Sequence, residues 1–117
     1  MTIKPELQQE YDKYVEINSE DEYSKACITA GEAFGNALDE GKTFEEANAA
    51  MCEAEDGLTG FMASMAVKAV AHFHPRGEEV RVWWNERNGV KSDKGIVNTA
   101  VMTFEDDGTV TPEIETV

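Results

Sequence analysis

The sequence has no run of about 18 apolar residues, the length at which a membrane-spanning helix is predicted. It begins Met-Thr-Ile-Lys-Pro, without the apolar segment of a secretory signal. Only two cysteines are present, Cys27 and Cys52, and their spacing is not that of metal ligands. We therefore expect a cytoplasmic protein that contacts no membrane and keeps both thiols reduced.

The chain also lacks the common motifs of catalysis and nucleotide binding. It contains no Gly-x-Gly-x-x-Gly, no Walker loop and no Gly-x-Ser-x-Gly. Its two histidines, His72 and His74, could bind a metal ion together with Glu78 or Glu79, but their place at a helix end favours contact with the exposed carbonyl groups there. We predict no enzyme, no metal ion and no cofactor, with a histidine-based metal protein or enzyme as the third alternative.

The length and composition indicate an ordered globular protein. At 117 residues, of which 41% are hydrophobic, the chain is long enough to build one hydrophobic core. No low-complexity tract or long linker divides it. We therefore predict a single domain that spans residues 1–117.

Negative charge is concentrated towards both ends of the chain, whose net charge is −14. Residues 1–60 contain fifteen acidic residues and four lysines, whereas residues 61–104 contain four acidic and six basic residues. Residues 105–117 contain five acidic residues and no basic one. Such a chain repels phosphate and anionic lipid but attracts basic surfaces. We therefore expect a basic partner and no direct binding to nucleic acid.

Hydrophobic residues recur at every third or fourth position in the first two thirds of the sequence, which predicts amphipathic helices. Ser19 with Glu22, and Thr43 with Glu46, have the spacing of a capping box, which marks the start of a helix. The four predicted helices span about 5–17, 20–40, 44–55 and 58–73. The fourth is apolar on nearly all sides, so we place it at the centre of the fold.

Near residue 79 the hydrophobic period changes to two. Val80, Val82 and Trp84 alternate with polar residues, and the dipeptides Asn88-Gly89 and Asp107-Gly108 are typical of tight turns. This pattern predicts a three-stranded antiparallel meander with strands at about 79–87, 95–104 and 109–114. Four helices followed by a meander define an α+β fold.

Two adjacent tryptophans cannot enter the same face of a strand, so Trp83 is predicted on the open face of the sheet. Arg81 and Arg87 share that face. An aromatic ring beside arginines is a common composition of binding surfaces, and it also suits cation–π cover of an open sheet. The alternative function is therefore a structural or assembly module that forms homo-oligomers through this face.

Acidic residues of the helical part form the second candidate surface. A surface of this kind complements the basic groove of a nucleic-acid enzyme and speeds association with it. The favoured function is a small interaction protein that binds and occludes a basic partner, as a nucleic-acid mimic or an immunity-type inhibitor of a nucleic-acid enzyme. Its predicted contact residues are Asp39, Glu40, Glu45, Glu53, Glu55 and Asp56.

Overall fold

The computed structural model describes the backbone of residues 1–88, 98–104 and 110–116, and the side chains of residues 1–86. In this part of the chain, a short 3₁₀ turn leads into five α-helices, which are followed by two strands. None of the described helices combines the length and the apolar character needed to cross a membrane. The elements are the turn Pro5–Leu7, helices α1 (Gln8–Asn18), α2 (Glu22–Asp39), α3 (Phe44–Ala54), α4 (Gly60–Phe73) and α5 (Gly77–Asn88), and strands β1 (Asn98–Phe104) and β2 (Val110–Thr116).

Side chains cap the starts of α2 and α3. At α3 the predicted capping box is confirmed: Thr43 Oγ1 accepts from the N–H of Glu46, and Glu46 Oε1 accepts from the N–H of Thr43, both at 3.1 Å. The predicted box at Ser19 is wrong, because Ser19 follows the last residue of α1. Asp21 caps α2 instead by accepting from the N–H of Ser24 at 2.9 Å. Serine and aspartate are both good caps, so the local pattern does not choose between them.

The main core lies where α2, α3, α4 and α5 meet. Helix α4 is buried along most of its length, with Ala66, Val67 and Val70 fully enclosed. Helix α2 approaches it at Gly31, where an added side-chain carbon would lie 3.2 Å from the carbonyl oxygen of Ala66. The missing side chain therefore lets the two backbones come close, and Phe34 of α2 is fully buried beside them.

A second apolar cluster attaches α1 and the N-terminal segment to the later half of α4. It is formed by the buried residues Tyr14, Ile28, Ala69 and Phe73. The backbone N–H of Lys4 donates to the carbonyl oxygen of Phe73 at 2.8 Å. This bond fixes the N-terminal segment against the end of α4.

The predicted first strand is wrong, because residues 77–88 form α5. Val80 is fully buried and Trp84 is 7% exposed, whereas Val82 between them is 44% exposed. On a strand all three side chains would share one face, but on a helix Val80 and Trp84 lie one turn apart and Val82 points elsewhere. The described residues therefore form no three-stranded meander, and the α+β prediction is overturned.

Charges along α5 also favour the helix. Glu78 and Glu79 occupy its first turn, where the helix dipole stabilises negative charge. Glu79 accepts from Arg76 Nε at 2.9 Å, and Glu78 accepts from Arg81 Nε at 3.1 Å. These exposed pairs contribute little on their own, so the burial of the apolar face is the larger cause of the helix.

The two strands form an antiparallel pair in which Ala100 lies opposite Ile114 and Phe104 lies opposite Val110. β1 runs beside α4. The pair overlaps the segments predicted at about 95–104 and 109–114, but within the described chain these strands pair only with each other. The fold is therefore mainly helical.

Separate truncation of Val80 and Val82 to alanine distinguishes a helix from a strand in this segment. In α5, Val80→Ala removes buried methyl groups and should lower the free energy of unfolding by about 2 kcal/mol. Val82→Ala acts at an exposed position and should change it by less than about 0.5 kcal/mol. Chemical denaturation followed by circular dichroism measures both values. Equal costs at the two positions would contradict the helix.

Candidate partner-binding surface

The six predicted acidic contact residues fall into two groups. Asp39, Glu40 and Glu45 surround the short connection between α2 and α3, whereas Glu53, Glu55 and Asp56 lie at the end of α3 and just beyond it. Helices α2 and α3 pack against each other and form a helical hairpin. The first group therefore lies at the connected end of this hairpin, and the second group lies at its open end.

At the connected end, Asp39 is held by two hydrogen bonds. Its Oδ1 lies 2.8 Å from Nε2 of His74, and its Oδ2 accepts from the N–H of Thr2 at 2.7 Å. Although partial burial acts in the opposite direction, the hydrogen bonds from His74 and Thr2 lower the pKa of Asp39 below its ordinary value. Asp39 therefore ties the end of α2 to the N-terminal segment and to the α4–α5 corner.

His74 is 3% exposed, and both of its ring nitrogens are engaged. Nδ1 accepts from the backbone N–H of Arg76 at 3.0 Å, and a ring nitrogen that accepts an N–H carries no proton. The proton is therefore on Nε2, which donates to Asp39. His72 is paired separately with Glu10 at 3.0 Å. The two histidines do not share a site, and the described residues contain no group of three suitable metal ligands.

Glu40 and Glu45 also have partners inside the protein. Glu40 lies 3.0 Å from Nζ of Lys42 on the exposed surface. Glu45 Oε1 accepts the indole N–H of Trp83 at 2.9 Å, a bond that joins α3 to α5. All three predicted acidic residues at the connected end therefore make contacts within the molecule.

Trp83 does not lie on an open sheet face, because it belongs to α5. Its ring centroid is 5.9 Å from that of Phe34 and 5.6 Å from that of Phe44, so the ring packs against α2 and α3. Arg81 lies two positions earlier on the same helix and points in a different direction. The side chain of Arg87 lies outside the described residues. The sheet face predicted to display these three residues is therefore not formed.

At the open end, the segment that follows α3 returns to the start of α2. Burial raises the pKa of the Tyr23 hydroxyl, and the side chain of Thr59 acts on the same hydroxyl in the opposite direction. Burial, together with the charges of Asp21 and Glu55, raises the pKa of the Cys27 thiol to about 11. Carboxylates from both segments therefore lie near one thiol. The resulting group, called the acidic end below, consists of Glu20, Asp21, Glu22, Glu53, Glu55 and Asp56.

No residue of the acidic end forms an ion pair with a basic residue in the described part of the chain. Five of the six are exposed, and Glu55 is half-buried. The sequence prediction included Glu53, Glu55 and Asp56 but assigned Glu22 to a capping box with Ser19. The missed signal was the order of the elements, since the segment that follows α3 returns towards the start of α2, where Asp21 and Glu55 both act on the Cys27 thiol.

No known protein family, curated protein or solved structure matches this chain. The feature that bears on function is the surface itself, where carboxylates of two segments lie beside a partly exposed tyrosine.

Asp39→Asn tests the structural role of this carboxylate. The variant loses the negative charge that His74 and the backbone of Thr2 bind, so the free energy of unfolding at neutral pH should fall by about 1–3 kcal/mol. Because the pKa of Asp39 is lower in the folded protein than in the unfolded chain, its stabilisation is complete above about pH 4 and is lost as the pH falls through the folded-state pKa. Urea denaturation across this range should show the difference from wild type shrinking.

Glu53→Gln is the matched control for Asp39→Asn, because it neutralises one exposed carboxylate of the acidic end. It should leave the stability unchanged at every pH. A stability difference between Asp39→Asn and wild type that stays constant down to the lowest pH would contradict the role assigned to Asp39.

Proposed function

We propose that this protein binds and occludes a basic surface of a partner protein, as a nucleic-acid mimic or an immunity-type inhibitor of a nucleic-acid enzyme. The observation that carries the proposal is the acidic end. Its six carboxylates come from two separate helix ends, and none forms an ion pair with a described basic residue, although Lys42 acts electrostatically on Glu53. A basic partner would supply the opposite charge.

The grouping of these charges matters more than the net charge of −14. At physiological salt an electrostatic attraction decays over about 8 Å, so carboxylates act together only when they are close. In this protein the charges of Asp21 and Glu55, which belong to the two segments of the acidic end, both act on the Cys27 thiol. A preformed group of like charges speeds encounter with a basic surface and discriminates between partners.

Binding, rather than catalysis, is the function that this surface supports. General acid–base chemistry needs carboxyl groups in a partly buried cleft that separates their pKa values. Five of the six carboxylates at the acidic end are on exposed residues. Exposed carboxylates suit contact with an extended basic surface, and we assign no reaction to them.

The two alternative functions depended on surfaces that the described residues do not form. A homo-oligomeric module needed Trp83 on an open sheet face, but its ring packs against Phe44 of α3. A histidine-based metal site needed His72 and His74 together, but each is paired with a different carboxylate. No observation on the described residues favours either alternative.

Neutralising part of the acidic end tests the proposal. The triple variant Glu53→Gln/Glu55→Gln/Asp56→Asn removes three of its charges, and decalysine is a suitable basic probe. We expect the affinity for decalysine to fall about tenfold, because each exposed charge pair contributes up to about 1 kcal/mol. Isothermal titration calorimetry at about 0.1 M salt, where the Debye length is about 10 Å, measures the affinities.

The matched control is Glu40→Gln/Glu78→Gln/Glu79→Gln, which removes the same charge from carboxylates already paired within the protein. Its affinity for decalysine should stay within about threefold of wild type. Equal losses in the two triple variants would contradict the proposal, since only the net charge would then matter. A wild-type protein that fails to bind decalysine even at low salt would contradict it as well.

A further inference from the structure

Three large apolar side chains are strongly exposed in the described part of the chain, and two of them flank the same connection. Ile17, which is 47% exposed, lies in the last turn of α1. Tyr23, which is 43% exposed, lies in the first turn of α2. The third, Val82, lies on α5. Ile17 and Tyr23, called the turn patch below, adjoin the acidic end.

The elements on both sides hold the turn patch in place. Helix α1 buries Tyr14 one turn before Ile17, which anchors the helix while leaving its last turn outside the cluster. Tyr23 lies near Thr59, the residue that caps α4. The ring of Tyr23 remains partly in solvent. Ordered apolar side chains of this kind lose little conformational entropy when a partner covers them.

Four exposed carboxylates border the turn patch along the chain, and none forms an ion pair with a described basic residue. The negative charge of these carboxylates determines which kind of molecule can bind at the turn patch. A second copy of the protein or an anionic membrane would bring like charges together around the apolar centre. A peptide segment that combines apolar side chains with lysines or arginines can cover the apolar turn patch and also pair with the carboxylates around it. The four bordering residues are Glu16, Glu20, Asp21 and Glu22.

We propose that the turn patch is the docking point for a basic amphipathic segment of the partner protein. Apolar side chains of that segment cover Ile17 and the ring of Tyr23, while its basic side chains reach the bordering carboxylates. An arginine of the segment could also stack on the ring of Tyr23. This inference rests on the proposed function and adds to it the contact point and the chemistry of the partner.

Two peptide probes with the same number of lysines test the inference. One is decalysine, and the other carries added leucines at helical spacing so that one face is apolar. Wild-type protein should bind the leucine-containing peptide about tenfold more tightly than decalysine, because its leucines bury the turn patch. Ile17→Ser/Tyr23→Ser, which changes no charge, should abolish this preference and leave the affinity for decalysine unchanged. Ile17→Ser alone keeps the contact between Tyr23 and Thr59 and should lose part of the preference.

Val82→Ser is the matched control, because it removes a similarly exposed apolar side chain from α5, and it should retain the full preference. Persistence of the preference in the double variant would overturn the docking point and leave the proposed function standing. Failure of wild type to bind either peptide would overturn both. Sedimentation tests whether a second copy of the protein binds the patch instead. Self-association of wild type that the double variant loses would assign the patch to a second copy and overturn the inference.

Discussion

Gly77 lies so close to the carbonyl group of Ala71 that a side chain at this position would collide with the backbone of α4. The corner between α4 and α5 can be this tight only because glycine begins α5. His74 closes the corner from inside, where it is buried between the N–H of Arg76 and the carboxylate of Asp39. With the corner fixed, α5 packs against α4 and places its apolar face in the core.

This corner also determines which acidic residues are hydrogen-bonded within the protein. It brings His74 to Asp39, and it orients α5 so that Trp83 reaches Glu45. Carboxylates that accept hydrogen bonds from the protein stabilise the connected end of the α2–α3 hairpin, where charge repulsion would otherwise favour unfolding. Among the described residues the open end forms no ion pair, although Asp21 caps α2 and Lys42 acts electrostatically on Glu53. We propose that the connected end serves stability and that the open end serves recognition.

The local sequence was sufficient to predict a helix whose start carries capping residues, as the capping box at Thr43 illustrates. It was not sufficient to predict α5. Val80, Val82 and Trp84 fit the two-residue period of a strand, while Val80, Trp83 and Trp84 fit a helix equally well. Burial against α4 decides between them. The sequence also did not show which acidic residues have partners within the protein, because the partners of the engaged carboxylates at the connected end include residues 35 and 38 positions away. Identical side chains therefore acquire different roles only in the folded chain.

The division between a structural connected end and a recognition surface at the open end can be tested most directly by NMR. Backbone amide spectra of the wild-type protein, recorded during titration with decalysine, map the contact surface without any substitution. We expect the chemical-shift changes to concentrate in residues 16–23 and 53–59 and to be small in residues 39–45. Changes spread evenly over the acidic residues, or centred on residues 39–45, would contradict it.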